Sequence, residues 1–332
     1  MRFVCFALIA LCALALLAPA SVDASRVRRS RRSRGSHNDA EPTEPPTASA
    51  SASAAPATIP ATSVPPALPA MPASEVQSVT DPGVLLENLT WVEAEAHLKP
   101  DAIIVIPLGA AAKEHGPHLR LKNDFLIAEY LKRRVLESAA VVVAPTINYS
   151  FYPAFVEYPG STSLRAETAR DMVVDICRGL SRFGPRRFYI LNTGISTLRP
   201  LAAAADQLVA DGVLMRYSDT RLLMGDTEKK IKQQPGGSHA DEIETSMMLY
   251  MAPETVDMSR ASNDYDAVGQ GALTRIKGGP GTYSPTGIWG DATLATRAKG
   301  EQVVEALVAG VLRDLEALRH AAPPEPKAPA AR

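Results

Sequence analysis

The sequence predicts an α/β protein, a three-layer α/β/α sandwich in which a mostly parallel sheet is covered by helices on both faces. Three observations point there. Short apolar runs rich in β-branched residues alternate with longer stretches of helical period. The runs are apolar at nearly every position, as in strands buried on both faces. Strand and helix alternate along the chain, and that order builds a parallel sheet with crossover helices.

Taken in order, residues 102–108 (A-I-I-V-I-P-L) form the first buried strand. Residues 124–135 follow with helical spacing at Ile127, Tyr130, Leu131 and Val135. Residues 140–145 are a second strand, and 168–183 a second helix stopped by Gly184-Pro185. A third strand spans 187–192, and a helix spans 200–210 with proline in its first turn, where the missing N–H costs little. A fourth strand covers 213–217 and a helix 242–251. The last helix, 297–319, carries one apolar stripe of Val304, Leu307, Val308, Val311, Leu315 and Leu318.

Not all 332 residues are domain. Residues 1–24 read as a signal peptide: Arg2, an apolar core over 3–17, and small residues at 18–20 and 22–24 that suit cleavage. The core is shorter than the ~20 residues a membrane span needs. The chain is therefore expected to be exported, periplasmic or extracellular, with an uncleaved anchor as the alternative. Residues 25–78 are an expected disordered tether. It begins with Arg26, Arg28, Arg29, Arg31, Arg32 and Arg34, a run suited to weak contact with an anionic surface. It continues rich in Pro, Ala, Ser and Thr, which cannot bury enough surface to fold. Residues 79–320 form the folded domain and 321–332 a second disordered tail. With 35 basic and 36 acidic side chains the net charge is −1, so no nucleic-acid partner is expected. Outside the leader Cys177 is the single cysteine, which leaves no intramolecular disulfide. It falls in a helical pattern with Met172, Val173, Ile176 and Leu180 and reads as buried.

The chemistry concentrates after the first strand, in G-A-A-A-K-E-H-G-P-H-L-R-L-K-N-D over 109–124. In parallel sheets this is the end where ligands bind. His115 and Asp124 suit a divalent metal such as Zn, Mn or Fe. Lys113 does not, because an ammonium only donates. A second cluster runs over 237–246 (G-S-H-A-D-E-I-E-T-S), a loop becoming a helix. Its acids suit a first helical turn whether or not they bind anything. Residues 157–164 (E-Y-P-G-S-T-S-L) could present hydroxyls and N–H groups to a substrate, or form an ordinary turn and cap.

Together these stretches resemble the creatininase (creatinine amidohydrolase) family. Its members have a Gly-Ser-x-Glu-Gln-His-Gly-Pro-His-Leu-Pro loop closed by an Asp, a Pro-Gly-Thr-x-Ser-Leu segment, an Asn-Gly-His-Gly-Gly-Asn loop and a His-Ala-Gly-Glu-x-Glu-Thr-Ser helix start. The counterparts here are 113–120 with Asp124, 159–164, 192–197 and 239–246. Residues 290–296 are similar to the family's late Gly-Asp-Pro-Thr-Leu-Ala loop. The likeness covers about residues 85–318. It implies a metal-dependent amidohydrolase, often hexameric, that hydrolyses a C–N bond in a small-molecule amide. Two divalent ions share the loop aspartate and activate water and carbonyl.

The chain departs from that pattern at the ligands. Lys113 stands where the family has Glu, Glu114 where it has Gln, and Gly194 where it has the loop His. Ser196 stands at a position that is Glu in creatininase itself. The resemblance then implies one metal per chain at His115, Asp124 and Glu242, with the Lys113 ammonium neutralising Asp124 near the lost ion. His239, Lys113 and Glu114 are the candidate catalytic groups, and Gly160, Ser161, Thr162 and Ser196 the candidate substrate contacts. Two alternatives stand beside this: a metal-independent enzyme using Lys113, Glu114 and His239, and a non-catalytic exported binding or structural oligomer.

Overall fold

In the computed structural model, residues 82–327 are described. The expected signal peptide and tether lie outside the described residues. Five strands make the main sheet: β1 (Val84–Leu85), β2 (Ile103–Leu108), β3 (Val142–Val143), β4 (Arg187–Asn192) and β5 (Leu214–Tyr217). Seven α-helices accompany them: α1 (Trp91–His97), α2 (Asn123–Ser138), α3 (Ala166–Ser181), α4 (Leu198–Val209), α5 (Thr220–Ile231), α6 (Glu242–Met251) and α7 (Arg297–His320). The sheet order is β1-β3-β2-β4-β5, and every pairing is parallel.

Alternation along the central strands divides the core in two. Ile103 and Val105 of β2 and Tyr189 and Leu191 of β4 face a cluster supplied by α2, α6 and α7. Ile104, Ile106, Phe188 and Ile190 face the opposite cluster, supplied by α3 and α4. This is the three-layer sandwich expected. All six residues of the α7 stripe are buried, as is Cys177, whose thiol burial pushes up to about 12.

The topology places the site. The chain leaves β2 through α2 toward β3, but leaves β4 through α4 toward β5 on the other side. The crevice between β2 and β4 is thus the switch point where such sheets bind ligands. Leu108 lies opposite Asn192, so the loops after both strands rise side by side. Gly109 lets α2 start there. A Cβ at 109 would overlap the Asp124 carbonyl group. Gly300 does the same for the α6–α7 crossing, against the Ser246 carbonyl.

Two expectations change. Residues 321–327 are not a free tail: the Ala321 carbonyl accepts from Arg187 Nε at 3.0 Å, and Lys327 N–H donates to the Ala210 carbonyl at 3.0 Å. Prolines in extended chain give up donors but still pack, and Pro326 lies against Gly212. Helices α1 and α5 also had no place in the sequence reading. Neither has a buried residue, so neither shows a clean apolar stripe. Two small two-stranded pairs follow in the chain, β6 (Asn263–Asp264) with β9 (Gly290–Asp291) and β7 (Leu273–Thr274) with β8 (Thr282–Tyr283).

Candidate metal centre

The loop after β2 is fixed before it does any chemistry. Lys113 N–H donates to the Leu121 carbonyl and Phe125 N–H to the Ala110 carbonyl, both at 3.0 Å, which closes the loop onto the start of α2. Glu114 N–H donates to Ser161 Oγ at 2.9 Å, and Thr162 N–H to the Ala112 carbonyl at 2.9 Å. Gly160, at φ +89°, makes the turn that brings this strap alongside. Gly160, Ser161 and Thr162 therefore brace the loop from outside rather than line the cavity. Of the expected substrate contacts, Ser196 alone lines it.

Inside the loop the charges meet. Lys113 Nζ lies 2.7 Å from Asp124 Oδ2, and both side chains are buried. His115 Nδ1 donates to the Lys113 carbonyl at 2.9 Å, which turns Nε2 toward Asp124 Oδ1 at 2.8 Å and Glu244 Oε1 at 3.3 Å. His239 Nε2 lies 2.8 Å from Glu114 Oε1, and its Nδ1 faces Glu244 Oε2 at 3.7 Å. Glu114 Oε2 is held by the Gly116 N–H at 2.8 Å.

Glu244 is the hub. Its Oε1 accepts from Asn123 Nδ2 at 3.0 Å and its Oε2 from Ala240 N–H at 2.7 Å. Ala240 adopts φ +49°, the left-handed region a non-glycine residue enters at a cost. That turn aims its N–H at the carboxylate while Asp241 Oδ1 caps α6 by accepting from Ile243 and Glu244 N–H.

The metal set expected from the sequence is corrected in one member. Glu242 is fully buried, but its carboxylate is held by Lys299 Nζ at 2.6 Å and by the Gln233 and Gln234 N–H groups at 2.8 and 2.7 Å. Residues two apart on a helix point to different sides, so Glu242 faces α7 while Glu244 faces the loop. Among the described residues, His115, His239 and Glu244 bring one donor atom each within 4.8 Å of one another. His239 is thus drawn into the donor set as well as paired with Glu114. Asp124 adjoins the group, shared between Lys113 and His115. His118 turns away: its Nε2 meets Thr245 Oγ1 at 2.7 Å, and burial depresses its pKa to about 4.

The electrostatics follow from burial and crowding. Burial opposes the charged form of Lys113, but Asp124, Glu244 and Glu114 outweigh it and raise its pKa. Burial and Lys113 both work against charge on His115, yet Asp124 and Glu244 lift it to about 9. Asp124, Glu114 and Glu244 are all lowered despite burial, chiefly by Lys113, His239 and His115 respectively. In the metal-free protein at neutral pH this is an ammonium and an imidazolium among three carboxylates.

These residues fit one divalent ion. Each imidazole gives one ring nitrogen to a fixed acceptor, the Lys113 carbonyl or Glu114, which leaves the other nitrogen turned toward Glu244. That is the outer-shell arrangement that sets the tautomer of a metal-binding histidine. They do not fit a second ion beside Asp124, where the Lys113 ammonium lies and Gly194 offers no side chain.

The cavity above the cluster has a volume of about 330 Å³. Its lining includes Lys113, Asp124, His239 and Glu244, the side chains of Tyr152, Phe155, Leu273 and Trp289, and Arg221, Met224 and Glu228 of α5. The sequence reading named none of the last two groups. Their signal is spatial, since they come from four separate segments.

Residues 87–315 match the family model for creatininase, described as creatinine amidohydrolase. The creatinine amidohydrolase of Pseudomonas putida is 27% identical over 260 residues, 73% of this chain and 98% of that protein. A mycofactocin precursor peptide peptidase of Mycobacterium ulcerans is 29% identical over 215 residues, 62% of this chain and 81% of that protein. A 3-dehydro-scyllo-inosose hydrolase of Thermotoga maritima is 26% identical over 252 residues, 68% of this chain and 80% of that protein. A crystal structure of creatininase superposes with a TM-score of 0.62 at 25% identity, covering 72% of this chain and 98% of that one. Solved relatives include a manganese creatininase and a mutant of the Zn-Zn type.

Proposed function

Because the chain belongs to the creatininase family, we propose that it is a metal-assisted amidohydrolase that cleaves a C–N bond in a small amide with one divalent ion rather than two. The observation that carries this reading is the convergence of His115, His239 and Glu244, with both ring tautomers preset. Two imidazoles and a carboxylate are a donor set used by catalytic zinc. A bound ion there would supply Lewis acidity toward the substrate carbonyl and lower the pKa of water. The chain's own residues do the rest. Glu114 orients His239 by holding its Nε2. Lys113 stays protonated, so it stabilises negative charge rather than accepting a proton. That weighs against a metal-independent enzyme with Lys113 as base. A cavity of about 330 Å³ with an aromatic lining suits a small molecule with an apolar part.

Metal analysis tests it. Protein folded with Zn, Mn or Fe supplied is expected to hold close to one equivalent per chain, and less than about 0.2 equivalent would sink the reading. The charge state adds a second test. His115 must lose its proton to bind an ion. Its folded pKa of about 9 makes binding a proton-releasing exchange. Metal affinity should rise about tenfold per pH unit from 7 toward 9, with about one proton released, in calorimetry run in buffers of different ionisation enthalpy. A flat profile would mean that His115 is not a ligand.

A second reading has its own support. Lys113, His115, Asp124 and Glu244 satisfy one another with protons alone, as a non-catalytic binding protein of this fold would need. Protein that holds metal but hydrolyses no member of a panel of linear and cyclic amides would favour it. Export through residues 1–24 and assembly into a homo-oligomer belong to the same proposal. Fractionation of cells and light scattering test them.

A further inference from the structure

His118 is the histidine of the loop after β2 that the reading above leaves unused. It is buried three residues after His115, yet it points away from the donor set. Its Nε2 lies 2.7 Å from Thr245 Oγ1, and its Nδ1 has no partner among the described residues. Thr245 follows Glu244 on α6 and is fully buried. Its hydroxyl donates to the Ala240 carbonyl at 3.4 Å.

Proton counting sets the direction of these bonds. A hydroxyl has one proton to give. If Thr245 gave it to His118, the neutral ring would carry its own proton on Nδ1, a buried N–H with no acceptor, and the Ala240 carbonyl would lose this donor. With the proton on Nε2, His118 donates to Thr245 and Thr245 donates to Ala240. A bare lone pair at Nδ1 is then the one loose end, and a buried acceptor is left unpaired more readily than a buried N–H. Burial keeps the ring neutral, as this arrangement requires.

Ala240 is where the chain needs holding. Its φ of +49° is one that alanine enters at a cost, and in that turn its N–H donates to Glu244 Oε2 at 2.7 Å. The turn is pinned on both sides. Before it, the His239 carbonyl accepts from Trp289 N–H at 2.9 Å; within it, the Ala240 carbonyl accepts from Thr245.

We infer that His118 and Thr245 are positioning residues of the metal centre: His118 Nε2–H donates to Thr245, Thr245 donates to the Ala240 carbonyl, and the turn so held keeps the Ala240 N–H on Glu244. The inference rests on Glu244 as a metal ligand, but half of its test is done without metal.

That half uses the full chain in chelator. Long-range proton–nitrogen correlation NMR should show the His118 proton on Nε2 and Nδ1 bare. Thr245→Val keeps the shape and removes the hydroxyl. It should speed hydrogen exchange of the Ala240 N–H at least tenfold relative to amides of α7. The other half titrates zinc against a chromophoric chelator. Thr245→Val should weaken zinc binding about tenfold, the lower end for an outer-shell change, and Thr245→Ser should stay within about twofold of wild type. Adding Ala240→Gly to Thr245→Val should recover most of the loss, because glycine holds a left-handed turn unaided. The rescue is read in zinc affinity, since the Ala240 methyl is part of the core and its loss also moves the melting curve. A merely structural threonine would lower Tm, leave zinc affinity in place and give glycine nothing to rescue. A proton on His118 Nδ1, unchanged Ala240 exchange in Thr245→Val, or zinc binding by that variant within about twofold of wild type would overturn the inference. If wild type takes up no zinc, the metal reading fails, and the tautomer and exchange results decide the positioning role by themselves.

Discussion

Glu244→Gln should lower metal affinity by about a hundredfold or more, beyond the roughly 10–100-fold lost when an outer-shell group is changed. Glu242→Gln, two residues away on the same turn, should leave affinity within a few-fold and lower stability instead. The contrast follows from where the two carboxylates point. Glu244 faces His115 and His239 and takes one hydrogen bond on each oxygen from Asn123 and Ala240. Glu242 faces Lys299 and two backbone N–H groups and touches nothing in the cavity. Removing one partner of a buried pair costs about 3–5 kcal/mol. Lys299 keeps Gln233 Oε1 and the Leu294 carbonyl, so the lower end applies. That corresponds to a fall of roughly 6–12 °C in Tm for a domain of this size. Metal titration and thermal unfolding of both variants check the pair. The reverse pattern would return Glu242 to the metal.

Lys113→Met is expected to be the most destabilising single change at the site when metal is withheld. It leaves the Asp124 carboxylate buried with His115 as its remaining cation, and the cost is again about 3–5 kcal/mol. Replacing both partners, as in Lys113→Met with Asp124→Asn, should recover most of the loss, because an absent pair needs no compensation. Saturating metal should also raise the Tm of the single variant more than that of wild type. The cycle is read from unfolding curves in chelator at pH 7. A single-variant loss below about 1 kcal/mol would mean that Lys113 does not hold Asp124. pH supplies a related check. His115 has a folded pKa raised to about 9, so its stabilisation is fully present below the ordinary value near 6.5. It is lost as pH rises through about 9, and metal-free wild type should weaken over that window.

Much of this was legible in the chain. The four expected strands and four of the five expected helices stand within two residues of the expected bounds, most closely where burial is two-sided or the stripe is clean, as in 187–192 and α7, while α2 runs three residues further, to Ser138. The strand over 140–145 shrinks to Val142–Val143, because apolar content marks burial and not hydrogen-bonded pairing. The loop residues His115, Asp124 and Lys113 meet as anticipated, since nine residues of chain and one helix start hold them together. What failed needed direction. Glu242 and Glu244 are chemically alike and both suit a first turn, and the rotation of α6 against the loop decides between them. Gly160, Ser161 and Thr162 carried the chemistry of substrate contacts, but both hydroxyls and the Thr162 N–H are committed to the neighbouring loop, and the Ser161 N–H to the Tyr158 carbonyl of its own turn. Tyr152, Phe155 and Trp289 had no local pattern to betray them.

The lysine at position 113 separates two events in the life of the molecule. A pocket of carboxylates with no cation would repel itself until an ion arrived, and folding would wait on supply. Here a covalently attached charge is always present, and a proton on His115 completes the balance. On the proposed metal reading, the polypeptide would reach its final shape in surroundings poor in metal and take up an ion afterwards, by exchange with that proton. Loading would then be reversible and set by acidity, and an unloaded chain would remain a folded one.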